Sequence, residues 1–124
     1  MVRLLLWTVG LVAAVLLVTY WWAGRNLKVL DADARTDAPG AFLEVSDGTL
    51  HYLVQGPEDG EIVVMVHGFS TPSFIFEQNA AALVEAGFRV VRYDHFGRGW
   101  SDRPKGPYDE AFYDRELMEL LDGL

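Results

Sequence analysis

Between Leu4 and Ala23 the chain runs for twenty residues, LLLWTVGLVAAVLLVTYWWA, without a single charge. A helix rising 1.5 Å per residue carries such a run about 30 Å, the thickness of a bilayer's hydrocarbon core. Arg3 and Arg25 bound the run, and Tyr20, Trp21 and Trp22 end it where aromatic rings favour the headgroup level. The pattern predicts a single-pass N-terminal anchor over residues 1–25, with the lipid bilayer as partner through Leu4–Ala23. A cleaved secretory signal is the rival reading. It needs small residues in A-x-A spacing, and bulky Trp21 and Trp22 precede Ala23 here. Arg25, Lys28 and Arg35 outweigh Arg3 and the terminal amine by one charge, which mildly favours a cytoplasmic soluble part and leaves the side open.

Beyond the apolar run the pattern changes. Residues 26–40 are polar, carry Asp31, Asp33, Asp37, Pro39 and Gly40, and read as a linker. Ala41–Val45 and Leu50–Gln55 are β-forming runs separated by Ser46-Asp47-Gly48-Thr49. Asp-Gly supplies the positive φ angles of a tight turn, so a hairpin is predicted. Glu61–Val66 is apolar without alternation, which suits a strand covered on both faces of a parallel sheet. Apolar positions at Phe74, Phe76, Ala80, Leu83 and Val84 predict a helix over Phe74–Ala86, ended by Gly87. Phe88–Tyr93 is the next strand, completing a parallel βαβ unit. After a loop rich in Gly, Pro and charge, Asp109 can cap a last helix through Leu121, with Phe112, Leu117, Leu120 and Leu121 on one face. Residues 41–124 therefore predict part of an open α/β sheet.

Composition narrows the partners. The net charge is −8, and all eighteen acidic residues lie beyond the anchor. That balance argues against nucleic acid, whose binders carry a basic stripe. With 51% hydrophobic residues the chain is not disordered. The absence of cysteine excludes thiolate chemistry and Cys-type metal sites, and no cofactor is expected. His51, His67 and His95 are far apart in sequence and lack the spacing of a zinc motif, while Gly97-x-Gly99 lacks the third glycine of a dinucleotide fingerprint.

Ligands of open α/β sheets bind beyond the carboxyl ends of the strands. Two loops lie there: His67-Gly68-Phe69-Ser70-Thr71-Pro72 and Asp94-His95-Phe96-Gly97-Arg98-Gly99-Trp100-Ser101-Asp102-Arg103-Pro104. In order, behind a hairpin and joined by a helix, this pair resembles the α/β-hydrolase superfamily over residues 41–121. The resemblance implies the front half of a hydrolase sheet: hairpin, βαβ, then helix. It implies a Ser-His-Asp mechanism on carboxylic, including lipid, esters. It also implies an oxyanion hole to which the Phe69 N–H contributes, with Gly68 permitting close approach of substrate. By the same resemblance His67, Asp94, Gly97 and Gly99 shape the loops. The missing Pro after His-Gly-Phe, the missing Asn after His-Gly and the missing H-G-G-P-G point away from epoxide hydrolases, haloalkane dehalogenases and proline iminopeptidases. An esterase or acylglycerol-lipase branch remains.

The family's nucleophile belongs on a later G-x-S-x-G turn, and none is expected in these 124 residues. Gly68-Phe69-Ser70-Thr71-Pro72 approaches the motif, but Pro72 replaces the final Gly. Its only partners in Ser…Asp…His order, Asp94 and His95, are neighbours whose side chains point apart. Gly99-Trp100-Ser101-Asp102-Arg103 fails on Arg103. His51 reads as an ordinary strand residue, and Phe96 and Trp100 either line an acyl pocket or pack. A non-catalytic, membrane-tethered interaction protein, or a degenerate fragment of such a hydrolase, is the alternative.

Overall fold

A computed structural model describes residues 2–25 and 30–124, with the Leu4 side chain left aside. The chain divides into two compact units, Met1–Ala34 and Arg35–Leu124. In the first, α1 spans Val2–Arg25, and its Leu5–Arg25 stretch has a mean hydropathy of 1.9 with no part of it buried. By length and composition it satisfies the requirement for a membrane span, and equally that for a signal sequence. Within the segment read as a linker, residues 26–29 lie outside the described part. Asp31 accepts from the Ala34 N–H at 2.9 Å and opens a one-turn helix, α2 (Ala32–Arg35).

The second unit is built on a four-stranded mixed sheet ordered β1-β2-β4-β3, from Ala41–Val45, Gly48–Gln55, Ile62–Met65 and Arg89–Asp94 in chain order. The first two pairings are antiparallel and β3 runs parallel to β4, as the βαβ reading requires. The hairpin turn sits one residue earlier than expected. Val45 pairs with Gly48, so Ser46 and Asp47 form the turn, and only Gly48 takes a positive φ, +141°. Asp47 points to Arg115 and Ser46 to Glu119, so the last helix holds the turn in this register.

Register sorts the side chains onto two faces. Leu43 opposite Leu50, Tyr52 opposite Tyr93, and Val64 beside Val91 share one face. Leu50, Tyr93, Phe96, Phe112 and Leu120 form the core there, with Leu43, Tyr52, Val64 and Leu117 packed against it. The covering helix is α4 (Glu110–Asp122), begun by the Asp109 carboxylate accepting from the Phe112 N–H at 3.0 Å and ended at Gly123, close to expectation. Phe96 stacks near Phe112 inside this core, so it packs rather than lining a pocket.

On the other face, Ala80 of α3 (Glu77–Glu85) is fully buried. The helix begins later than expected, because Ser73–Phe76 forms a 3₁₀ turn after Pro72, closed by the Ile75 N–H on the Pro72 carbonyl. Phe74 is left 64% exposed as a result. β3 is an edge strand among the described residues and only half-buried, not covered on both faces.

Candidate active site: two loops joined at the ends of β3 and β4

Asp94 closes β4 and is 2% exposed. Its Oδ1 accepts from the Ser73 N–H at 2.8 Å, and its Oδ2 from the Trp100 N–H at 3.0 Å and from His51 Nδ1 at 2.9 Å. One carboxylate thus ties the segment after β3, the loop after β4 and the hairpin together. Burial disfavours its charge, but the hydrogen bonds from His51, Ser73 and Trp100 outweigh burial and hold the carboxyl well below its ordinary range. Gly99, at φ +47°, makes this seat: a Cβ there would overlap the carboxylate, with Oδ2 nearest. Gly97, at φ +80°, lies against the Tyr108 ring.

The rest of the second loop is bolted to the hairpin. Ser101, fully buried, donates from Oγ to the Asp94 carbonyl at 2.5 Å and accepts from the His51 N–H at 2.9 Å. Both roles of that hydroxyl are used, so it is no nucleophile. Asp102 accepts from the Thr49 N–H at 2.8 Å and pairs with Arg35 at 2.6 Å. Burial opposes its charge too, and the Thr49 and Arg35 partners hold the carboxyl below its usual value.

The first loop is fixed through histidines. His67 is 4% exposed, and its Nε2 accepts from the His95 N–H at 2.9 Å. That bond leaves the ring proton on Nδ1, which donates to the Gly68 carbonyl at 2.7 Å. Burial lowers the His67 pKa, the nearby His95 adds to this, and the Gly68 bond opposes it. His95 in turn places Nδ1 on the buried Glu116 carboxylate and Nε2 at 3.1 Å from the His67 carbonyl. The other oxygen of Glu116 accepts from the Phe96 N–H at 2.8 Å. Burial and this carboxylate push the nearby Tyr93 phenol well above its ordinary value. His67 and His95, far apart in sequence, meet edge to face with ring centroids 4.5 Å apart.

Two histidine–carboxylate pairs are therefore present, yet neither has a free Nε2. That of His51 rests on the Pro39 carbonyl and that of His95 on the His67 carbonyl. A general base must offer a ring nitrogen to the proton it removes, so both pairs are built for position rather than proton transfer. Ser70 Oγ lies 3.5 Å from Thr71 Oγ1, and among the described residues no serine hydroxyl bonds a histidine ring. No cluster of three or more His, Cys, Asp and Glu suited to a metal is present among them either.

Phe69 differs from its neighbours. The residue is 87% exposed, and among the described residues no hydrogen bond engages its backbone N–H. Because His67 holds the carbonyl of the trans Gly68–Phe69 peptide, that N–H is directed to the opposite side. A Cβ on Gly68 would meet nothing within 4 Å, and Gly68 has no positive φ, so neither packing nor backbone conformation requires glycine there. The Phe69 carbonyl accepts from Arg98 Nε at 2.6 Å. His51, Glu116, Arg35 and Arg98 carry no site role in the sequence pattern, yet they hold the two loops and the hairpin together. Glu116 left a signal: it interrupts the apolar stripe Phe112–Leu120 at helical spacing.

A family model described as serine aminopeptidase, S33 (Hydrolase_4), matches residues 57–116. The chain is 36% identical over 84 residues to a cis-3-alkyl-4-alkyloxetan-2-one decarboxylase of Xanthomonas campestris, covering 66% of this chain and 28% of that protein. It is 38% identical over 88 residues to a haloalkane dehalogenase of Mycobacterium marinum, covering 71% and 26%. An esterase from Exiguobacterium antarcticum has a similar structure, with a TM-score of 0.62 and 31% identity, covering 67% of this chain and 31% of that one. The chain thus spans about a quarter of the length of these curated relatives. Three reactions are represented at similar identity, so the shared front half does not choose among them.

Proposed function

We propose, on the premise that this chain belongs to the α/β-hydrolase superfamily, that it is the N-terminal portion of a membrane-anchored hydrolase of carboxylic esters. The observation that carries this reading is the Phe69 N–H, unpartnered among the described residues and oriented by its neighbour beside a glycine that leaves open space. Acyl transfer builds negative charge on a carbonyl oxygen, and a fixed backbone donor stabilises that charge without reorganising. Phe69 is assigned as one donor of the oxyanion hole and Gly68 as the point of close substrate approach. His67, Asp94, Gly97 and Gly99 hold the loops. The nucleophilic serine, the acid and the histidine base are assigned to the downstream part of the polypeptide, where serine attack and histidine proton transfer would follow the usual triad logic. Anchoring through α1 would keep the enzyme at a surface where lipid esters concentrate.

Two assays test the reading. The complete polypeptide should hydrolyse p-nitrophenyl esters, and the 124 residues alone should not exceed background. Turnover by the 124 residues that a Ser70→Ala variant abolishes would overturn it. A complete polypeptide without turnover would favour a tethered interaction protein. For the anchor, carbonate washing should leave the chain in the membrane with its N-terminus intact, and soluble protein beginning near Gly24 would show a cleaved signal instead.

A further inference from the structure

We propose that Arg98 is a positioning residue for the Phe69 N–H, clamping the first loop from the second. The proposal rests on the oxyanion role assigned to Phe69 above. Phe69 is flanked by two peptide groups. The carbonyl of the one before it is held by His67 Nδ1. The carbonyl of the one after it is held by Arg98 Nε at 2.6 Å, and no other bond to it is present among the described residues. The Arg98 guanidinium also lies over the Phe69 ring, 4.9 Å from its centroid, and its second nitrogen donates to the Gly97 carbonyl at 3.0 Å. One planar group therefore fixes the carbonyl and the ring of Phe69 at once, and is itself tied to the loop after β4. A planar fork performs these tasks together, whereas an ammonium is a compact, strongly hydrated point charge with no flat face to stack while its donors bond in the same plane.

The clamp has work to do. Gly68 has no Cβ, and one placed there would meet nothing within 4 Å, so no packing at that position holds the Gly68–Phe69 peptide where the bond to His67 fails. With Arg98 in place both ends of Phe69 are held, and rotation of the N–H away from a developing oxyanion is opposed from two sides. Freed from it, the donor would sample many directions, and stabilisation of a transition state needs one direction set in advance.

The test compares wild type, Arg98→Ala, Arg98→Lys and Lys105→Ala, the last altering an exposed cation of the same loop. In the ¹⁵N-labelled 124-residue chain in detergent micelles, backbone order parameters at Phe69 and Ser70 should fall from about 0.85 to below about 0.6 in Arg98→Ala. Arg98→Lys should recover part of the loss, and Lys105→Ala should match wild type. In the complete polypeptide, Arg98→Ala should lower kcat for p-nitrophenyl butyrate at least about tenfold with KM within about twofold, the pattern of an interaction made in the transition state. Unchanged order at Phe69 overturns the proposal whatever the activity, and so does an unchanged kcat in an active enzyme. A raised KM with constant kcat overturns it in favour of direct substrate binding. Loss of order in a chain whose wild type hydrolyses no ester upholds the clamp and overturns the functional reading instead.

Discussion

Replacing Gly99 by alanine puts the seat of Asp94 under direct load. At φ +47° an L-residue costs about 1–2 kcal/mol more than glycine. The new Cβ would also overlap the Asp94 carboxylate, which cannot stay where it is. Its Oδ2 accepts two hydrogen bonds, from Trp100 N–H at 3.0 Å and His51 Nδ1 at 2.9 Å. Bonds to an ionised group contribute about 1.5–3 kcal/mol each, so losing both and adding the backbone strain amounts to at least about 4 kcal/mol. One kcal/mol moves the Tm of a domain this size by about 4–8 °C, so a drop of at least about 15 °C is expected. Thermal unfolding in detergent, followed by near-UV circular dichroism, measures it. Gly68→Ala is the control, since its Cβ meets open space and should change stability by no more than about 0.5 kcal/mol. A Gly99→Ala variant melting within about 3 °C of wild type would refute the claim that this glycine exists to seat the carboxylate.

Other outcomes follow from the same contacts. Asp94 and Asp102 have lowered folded pKa values, so the unfolded chain takes up protons first: their stabilisation is complete above about pH 4 and drains as pH falls below it. His67 is also lowered, so stability should begin to fall below about pH 6.5, and urea midpoints should show that upper step in wild type but not in His67→Gln. Glu116→Leu leaves the Phe96 N–H and His95 Nδ1 unpaired and should cost about 3–5 kcal/mol in urea unfolding, with Glu116→Gln milder; equal stability of Glu116→Leu and wild type would contradict the buried pairing. The open β3 edge, with Ile62 61% exposed on it, should make residues 25–124 associate, and Ile62→Lys should shift them toward monomer in size-exclusion chromatography. An unchanged profile would show that the edge is not what associates.

The fold was legible wherever one segment carried its own pattern. The hairpin, the βαβ unit and the Asp109-capped helix announce themselves through local turn chemistry and periodicity, and they lie within a few residues of expectation. The candidate site is legible only in part. Phe69 and the loop glycines could be located by motif, but the contacts that hold them cross long stretches of chain: 43 residues from His51 to Asp94, 21 from His95 to Glu116 and 29 from Phe69 to Arg98. Periodicity reports which face a residue occupies and is silent about its partner there. His51 shows this well. Its strand is evident from the local pattern, yet nothing local signals that register sets it opposite Asp94. Glu116 is the exception, because a carboxylate in an apolar stripe already asks for a buried partner.

The central claim is that the Phe69 N–H stabilises an oxyanion, and removing that one hydrogen tests it most directly. In the complete polypeptide, phenyllactic acid in place of Phe69 keeps the side chain while an ester oxygen replaces the N–H. If the N–H stabilises the oxyanion, kcat for p-nitrophenyl butyrate falls about 10²–10³-fold, with KM and thermal stability close to wild type. Hydrolysis within about threefold of wild type would contradict it.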